Sequence, residues 1–266
     1  MGKKSEINKL KVVFSGSLII LVIVSSLYVI EKFSCSKELP FYSISVPEDT
    51  TLTIGIIGDS WVAGKKLDSI LHYELLGRGY GNKILSSGQA GAKSKLVYQN
   101  LFEEENGNSS KYIIENRPDY CILIAGVNDA TVHVGRRYYS HHIILIIKTL
   151  LHYNIKPVVV SCPEFGIKET IENMKFLKRN RIIITSYFNN KGEIDNIKAY
   201  RNSLNELLES EYLRDSIMLI DFDNVCIDYI NCQELYANPS HLNSKGVEKL
   251  VRLVVDELVK ELSSGG

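Results

Sequence analysis

The chain has 266 residues, of which 45% are hydrophobic and 23% charged, proportions that are ordinary for a globular protein. Lys plus Arg and Asp plus Glu each number 31, so the formal net charge is zero. This balance excludes a strongly basic nucleic-acid-binding protein and a disordered acidic tail. With only 18 Gly and 6 Pro and no internal repeat, the chain is neither low in complexity nor a repeat protein.

The first 32 residues predict a membrane anchor. Nineteen uncharged residues, mostly Val, Ile and Leu, run from 12 to 30. At about 1.5 Å per residue they span about 28 Å, which is close to the hydrocarbon thickness of a bilayer. Lysines at positions 3, 4, 9 and 11 precede the run, so the positive-inside rule predicts a cytoplasmic N-terminus and a periplasmic or extracellular domain. The length of the run favours an uncleaved single-pass transmembrane helix over a cleaved signal peptide.

After a polar, Pro-containing linker at 33–50, strand and helix patterns alternate through a single predicted domain at 51–263. Buried strands are predicted at 52–57, 83–85, 120–125, 158–161 and 217–220. Helices are predicted around 67–75, over 138–153 and from about 243 onward. This alternation predicts an α/β domain with parallel strands joined by helical crossovers. Residues 166–191 do not fit it and are interpreted as an insertion or lid with an extra strand at 182–185.

The five cysteines, at positions 35, 121, 162, 226 and 232, form no C-x-x-C pair. A zinc or redox motif is therefore not supported. If the domain is exported, Cys226 and Cys232 are close enough in sequence to form a small disulfide loop. The alternative is that Cys121 and Cys162 are buried small apolar residues and that the others are free thiols.

Four polar clusters occur at positions suited to a ligand site. Three follow predicted strands, whose carboxyl ends line the ligand crevice of an open parallel sheet. They are GDSW at 58–61, SGQAG at 87–91 and GVND at 126–129. The fourth is NPSHLN at 238–243, just before the last predicted helix. Taken singly, each cluster is equally typical of an ordinary turn or a structural histidine.

The residue types in these clusters suit nucleophilic catalysis. Ser60 stands where a helix begins, although Val62 breaks the G-x-S-x-G pattern of a nucleophile elbow. Glycines such as Gly91 allow backbone N–H groups to approach a ligand closely. The amide of Asn128 can donate to an oxyanion. His241 is the one histidine of six with such a setting.

In this order, the four clusters resemble the SGNH, or GDSL-like, hydrolases over roughly residues 50–262. The resemblance implies a three-layer, flavodoxin-like α/β fold around a central parallel sheet of five strands. It also implies that Ser60 is the nucleophile and His241 the general base. The Ser60 N–H, the Gly91 N–H and the Asn128 side chain would form the oxyanion hole. No metal or cofactor is expected.

One position departs from the family pattern, which usually has an Asp three residues before the histidine. Here that residue is Asn238. The acid of a catalytic triad sets the tautomer of the imidazole and stabilises its charged form. Three alternatives remain open: Asn238 accepts the histidine N–H in a slower enzyme; a backbone carbonyl or a nearby acid (Asp221, Asp223 or Asp228) does so; or the protein is a weak catalyst retained for binding.

The expected activity is hydrolysis of acyl, above all O-acetyl, esters on envelope or extracellular carbohydrates. An anchored domain on the outer side of the membrane reaches such glycans, and many carbohydrate O-acetyl esterases belong to the family that the motifs resemble. Two alternatives are kept. The same acyl-enzyme passes its acyl group to a sugar hydroxyl in an O-acyltransferase, or the domain is a weakly catalytic glycan-binding module.

Overall fold

The computed structural model describes residue 26 and residues 33–44, 51–64, 66–103 and 108–264. The described residues from 37 onward form one compact unit. None of the helices within these described ranges is both long and apolar enough to cross a membrane. The transmembrane helix predicted at 12–30 lies, apart from residue 26, outside the described residues.

A five-stranded sheet forms the centre of the domain. Its strands are β1 (Leu52–Gly58), β2 (Asn82–Gly88), β3 (Tyr120–Ile124), β4 (Lys156–Val160) and β5 (Met218–Ile220). All neighbouring pairs are parallel, in the order β2-β1-β3-β4-β5, which is the flavodoxin-like order. The predicted five-stranded parallel sheet is therefore confirmed. Gly58 pairs with both Gly88 and Ile124, so the first three strands end level with one another at one edge.

Helices surround this sheet. They are α1 (Ser60–Ala63), α2 (Lys66–Gly77), α3 (Ser94–Gln99), α4 (Lys111–Glu115), α5 (Val127–Thr131), α6 (Arg136–His152), α7 (Ile167–Glu172), α8 (Phe176–Asn190), α9 (Ile197–Ser210) and α10 (Ser244–Ser264). A small antiparallel pair, β6 (Tyr236–Asn238) and β7 (His241–Leu242), precedes α10. Three 3-10 turns lie at Arg214–Ser216, Phe222–Asn224 and Tyr229–Leu235. The predicted start of the last helix is confirmed, because the side-chain oxygen Oδ1 of Asn243 accepts the Gly246 N–H at 3.0 Å.

Both faces of the sheet are buried, which explains why its strands are apolar runs rather than alternating ones. On one face, Ile56 and Ile122 meet leucines and valines of α2 and α10. The alternate residues Ile57 and Leu123 point to the other face and are also buried. Helix α6 packs against β4, α3 and α9. The result is the expected three-layer α/β arrangement.

The strand predicted at 182–185 is wrong, since these residues lie within helix α8. Burial explains the difference: Ile182 and Ser186, four positions apart, are buried, whereas Ile184 is exposed. A stripe of buried residues at that spacing is one face of a helix. The β-branched run Ile182–Thr185 gave a local preference for a strand, which packing overrides. The segment predicted as an insertion or lid consists of α7 and α8.

Part of the predicted linker packs on the domain. The Leu39 N–H donates to the Tyr98 hydroxyl at 2.7 Å, and the Tyr42 N–H donates to the Tyr153 hydroxyl at 2.8 Å. The Phe41 ring stacks on His152 with ring centroids 3.7 Å apart. Residues 37–44 therefore belong to the same compact unit as the sheet.

Of the two alternatives for the cysteines, the small disulfide loop is the one that forms, and only the burial of Cys121 and Cys162 is retained from the other. Cys226 and Cys232 form a disulfide with their Cα atoms 6.0 Å apart, and it closes a loop that includes one of the 3-10 turns. Cys121 and Cys162 are fully buried free thiols. Burial raises the pKa of both thiols, so they remain protonated.

Candidate active site

Ser60 is presented by a tight connection between β1 and α1. A Cβ atom on Gly58 would lie 2.1 Å from the Ile124 carbonyl oxygen, so only glycine allows β1 and β3 to approach here. The next residue, Asp59, accepts the Trp61 N–H at 3.0 Å and so caps α1. Ser60 is therefore the first helical residue, half-buried at the carboxyl edge of the sheet.

His241 reaches Ser60 although 181 positions separate the two residues. Strands β6 and β7 form a short antiparallel pair on which the imidazole is carried. Its Nε2 atom lies 3.0 Å from the Ser60 Oγ atom, within hydrogen-bond distance. Two of the predicted residues thus meet in a single crevice, with the geometry that proton transfer from the hydroxyl requires.

Asn238 lies on the other side of the imidazole. Its Oδ1 atom is 3.0 Å from His241 Nδ1 and also accepts the backbone N–H of Ser240 at 3.0 Å. A backbone N–H can only donate, so the amide atom facing it must be the oxygen. That oxygen can only accept, so the proton of the neutral imidazole lies on Nδ1. The lone pair of Nε2 is then directed at the Ser60 hydroxyl.

The acids considered in place of Asn238 bind elsewhere. Asp221 accepts the Asp223 N–H, and Asp223 itself forms an ion pair with Arg201. Asp228 accepts the Ile230 N–H. A second polar group does reach the imidazole: the Ser240 Oγ atom lies 3.1 Å from His241 Nδ1 and 3.2 Å from Asn238 Oδ1. The sequence analysis missed Ser240, although Asn-Pro-Ser is a typical start of an Asx turn.

The electrostatics of the crevice keep His241 neutral. Desolvation by burial lowers the pKa of His241 below its ordinary value. An aspartate at position 238 would oppose this effect, because a nearby negative charge favours the imidazolium. The neutral amide does not. His241 is accordingly a base that stays unprotonated to lower pH than a histidine paired with a carboxylate.

The three predicted oxyanion donors lie around the same edge of the sheet. Gly91, in the turn after β2, has φ +76°, a left-handed conformation that favours glycine. In the part of the chain that is described, neither the Gly91 N–H nor the Ser60 N–H has a protein acceptor. The Asn128 amide, at the start of α5, donates to the Ala92 carbonyl at 3.0 Å and, at a longer 3.4 Å, to Asp59. The longer of these bonds is the one that an oxyanion would most readily replace.

Two buried carboxyl groups support these loops. Asp129 accepts both the N–H and the hydroxyl of Ser94, at 2.9 and 2.6 Å, and so joins α5 to the start of α3. Asp59 joins α1 to Asn128. Burial raises the pKa of Asp59 to about 7 and that of Asp129 to about 6. Through these hydrogen bonds the two carboxyl groups hold the loops that carry Ser60 and Asn128.

Trp61 connects the two halves of the dyad. Its indole Nε1–H donates to the Ser240 carbonyl at 2.9 Å, and its ring packs edge-on against Phe222 with centroids 5.7 Å apart. Trp61, which follows Ser60, therefore binds Ser240, which precedes His241. This hydrogen bond joins residues 179 positions apart, so no local pattern in the sequence indicates it.

A polar cavity of about 670 Å³ lies beyond the ends of β4 and β5. Its lining includes Glu164, Arg201 and Tyr229 but, within the described residues, neither Ser60 nor His241. Burial raises the pKa of Glu164 to about 7. The cavity adjoins the loop that carries His241, because its Gly166 N–H donates to the Pro239 carbonyl at 2.8 Å.

Two of the other histidines lie inside the domain. His133 and His142 are fully buried. The Nδ1 atom of His133 lies 2.8 Å from the Asn196 amide, and that of His142 lies 2.7 Å from the Tyr138 carbonyl. Burial lowers the pKa of each to about 4, so both remain neutral.

No known family model matches the amino-acid sequence, and no curated protein matches it either. Solved structures do. An acetyl xylan esterase, AlAXEase, superposes with a TM-score of 0.55 and 16% identity, over 77% of this chain and 98% of its own. A GDSL-like lipase from Bacteroides thetaiotaomicron superposes with a TM-score of 0.53 and 13% identity, over 82% and 93%. The domain has the SGNH hydrolase fold.

A third solved structure strengthens this assignment. The psychrotrophic esterase EstA from Pseudoalteromonas sp. superposes with a TM-score of 0.56 and 15% identity, over 80% of this chain and 99% of its own. The superpositions thus cover nearly the whole length of each of these three structures. The resemblance noted from four short clusters is confirmed at the level of the fold, and Ser60, Gly91, Asn128 and His241 occupy its carboxyl edge.

Proposed function

We propose that the protein is a serine esterase of the SGNH type that works through an acyl-enzyme on Ser60. The single observation that carries this proposal is the 3.0 Å contact between Ser60 Oγ and His241 Nε2, with His241 Nδ1 bound in turn to Asn238. Nucleophile, base and orienting group in series are the signature of nucleophilic catalysis. The esterases and lipases that share the fold support the same chemistry.

In the first half of the reaction, Ser60 Oγ attacks the ester carbonyl carbon while its proton moves to His241 Nε2. The carbonyl oxygen becomes an oxyanion and accepts hydrogen bonds from the Ser60 N–H, the Gly91 N–H and the Asn128 amide. When the tetrahedral intermediate collapses, the bond to the alcohol breaks and His241 returns the proton to the leaving alkoxide. In the second half, water repeats these steps on the acyl-enzyme and releases the carboxylic acid.

The substrate class that we propose is an O-acylated, above all O-acetylated, carbohydrate of the envelope or extracellular matrix. The polar cavity beside the His241 loop suits a hydroxyl-rich alcohol better than a lipid tail, since its lining carries carboxylates, amides and cations together. One protein with this fold is an acetyl xylan esterase. The apolar run at 12–30 supports a single-pass anchor with the catalytic domain outside the cytoplasm.

A second candidate is transfer of the acyl group to a sugar hydroxyl. The same acyl-enzyme serves both reactions, and only the second nucleophile differs. Asn238 bears on a third candidate, a weakly catalytic glycan-binding module, because a neutral amide stabilises the imidazolium less than a carboxylate does. The 3.0 Å contact between Asn238 and His241 favours a slow enzyme over a pure binder.

Labelling with a fluorophosphonate tests the mechanism. The full chain in detergent should be labelled on Ser60 and should hydrolyse p-nitrophenyl acetate. Ser60→Ala should lose both reactions, whereas Ser240→Ala, which keeps the nucleophile, should retain labelling. Persistent labelling of the Ser60→Ala variant would remove the proposal. Adding xylo-oligosaccharides then separates the two reactions: acetylated sugar would indicate transfer, and free acetate alone would indicate hydrolysis.

A further inference from the structure

Helix α8 carries an exposed apolar face with no protein covering it in the described part of the chain. Its five large apolar residues on this face are between 58% and 84% exposed: Phe176, Leu177, Ile184, Tyr187 and Phe188. They recur at spacings of 4, 7 and 11 positions and so share one side of the helix. Ile182 and Ser186, which are buried, occupy the opposite side.

The size of this face is unusual for a monomer's surface. At about 200 Å² for each large side chain, the exposed fractions correspond to roughly 700 Å². The largest apolar patch on a typical soluble monomer is about 300–600 Å² and is often functional. By contrast, other large exposed apolar residues, such as Tyr212 after α9 and Tyr73 in α2, lie on different elements.

The charges around this face all have one sign. Four exposed cations, Lys175, Lys178, Arg181 and Lys191, lie on α8 or at its ends, and no acidic residue occurs between positions 173 and 192. No ion pair among the described residues involves any of these four cations. The chain as a whole has zero net charge, so this is a local concentration of positive charge.

We propose that α8 is an interfacial helix that binds the surface of an anionic lipid bilayer. A helix with aromatic and aliphatic residues on one side and Lys and Arg beside them is the type that lies in the headgroup region. Its cations match the negative surface of such a membrane. A second copy of the chain fits less well, because pairing two α8 faces would bring four exposed cations of each copy together.

The location of α8 gives this binding a consequence for the domain. Helix α7, which precedes α8, packs against α5, the helix that carries Asn128. At its other end, α8 binds the loop after α5, because the Asn189 amide donates to the His133 carbonyl. Membrane binding by α8 would therefore set the orientation of the active-site edge relative to the lipid surface. The run at 12–30 would supply a second, independent attachment.

Quenching of tryptophan fluorescence by brominated lipid tests the proposal. The chain has a single native Trp, so Phe188→Trp adds one reporter on the α8 face, and Tyr212→Trp adds a matched reporter at another exposed aromatic position. Each full-length variant is placed in nanodiscs of brominated phosphatidylglycerol, with the wild type as background. We expect the emission added at 188 to fall about twofold or more, and that at 212 to be unchanged.

Two further measurements make the result decisive. Leu177→Trp, at the opposite end of the face, should behave as Phe188→Trp does, and the charge reversals Lys178→Glu and Arg181→Glu should weaken quenching at 188. Absence of quenching at both 177 and 188, or equal quenching at 212, would overturn the proposal. A dimer of the full chain that buries position 188 without lipid would assign the face to a second copy and overturn it too. No readout involves ester hydrolysis, so this test is independent of the catalytic proposal.

Discussion

Replacing Asn238 by aspartate is the most informative perturbation of the catalytic site. Asn238 Oδ1 lies 3.0 Å from His241 Nδ1, and the Ser240 N–H holds that oxygen toward the imidazole. Aspartate has the same shape and preserves both hydrogen bonds while it adds a negative charge. The Asn238→Asp variant therefore changes the electrostatics of the base without moving it.

The size of the effect follows from Coulomb's law. Unit charges about 4 Å apart interact by about 1 kcal/mol in water and about 4 kcal/mol at an effective dielectric constant of about 20. His241 is half-buried, and Asn238 is exposed, so a value of about 2 kcal/mol is appropriate. That energy raises the pKa of His241 and, if the transition state contains a full imidazolium, raises kcat by about 30-fold.

This gain is much smaller than the factor of about 10⁴ lost when the triad aspartate of a serine protease becomes asparagine. The physical reason is that the protease amide enforces the wrong tautomer, whereas here the Ser240 N–H already orients Asn238 correctly. The comparison makes the prediction specific: a gain near 10⁴ would show that the wild-type amide does not have the orientation described above.

The assay is the pH dependence of kcat/KM for p-nitrophenyl acetate. The wild-type acid limb should lie below the ordinary pKa of histidine, about 6.5, because burial lowers the pKa of His241. In Asn238→Asp the plateau should rise and the limb should move to higher pH, so the two profiles converge in acid. Asn116→Asp, which adds the same charge at an exposed position before β3, should leave the profile unchanged. A change in kcat/KM by the same factor at every pH, or no change in kcat/KM, would refute the electrostatic argument.

Three further predictions follow from single contacts. Trp61→Phe keeps the ring but removes the donor to the Ser240 carbonyl, so kcat for an aryl acetate should fall about tenfold with little change in KM; an unchanged kcat would show that the bond does not position the dyad. Asn128→Ala should reduce kcat by about 10²–10³, and a smaller loss would exclude its amide from the oxyanion hole. The double variant Cys226→Ser, Cys232→Ser removes the disulfide, which joins residues with a sequence separation of 6. It should lower the free energy of unfolding, measured by urea denaturation, by about 2 kcal/mol, and reduction of the wild-type disulfide should have the same effect.

The strands and the last helix were predictable because their signals are local. Apolar runs bounded by turn residues mark β1, β3 and β4, and the capping Asn243 marks the start of α10. The error at 182–185 has the opposite cause. A β-branched run is compatible with a strand or a helix, and only its packing, with Ile182 inward and Ile184 outward, decides between them.

The amino-acid sequence by itself determined the order of the elements, the apolar N-terminal run and the four clusters that bear Ser60, Gly91, Asn128 and His241. These features depend on residue type and short spacing, which the chain displays without folding.

Only the tertiary structure decided that Ser60 and His241 meet at 3.0 Å, that Asn238 and not a nearby aspartate faces the imidazole, and that α8 leaves an apolar face exposed. Each of these depends on contacts between residues that are distant in sequence or on the direction of a side chain. The dyad contact arises because the turn after β1 and the β6–β7 pair lie together at one edge of the domain. No local sequence pattern encodes this proximity.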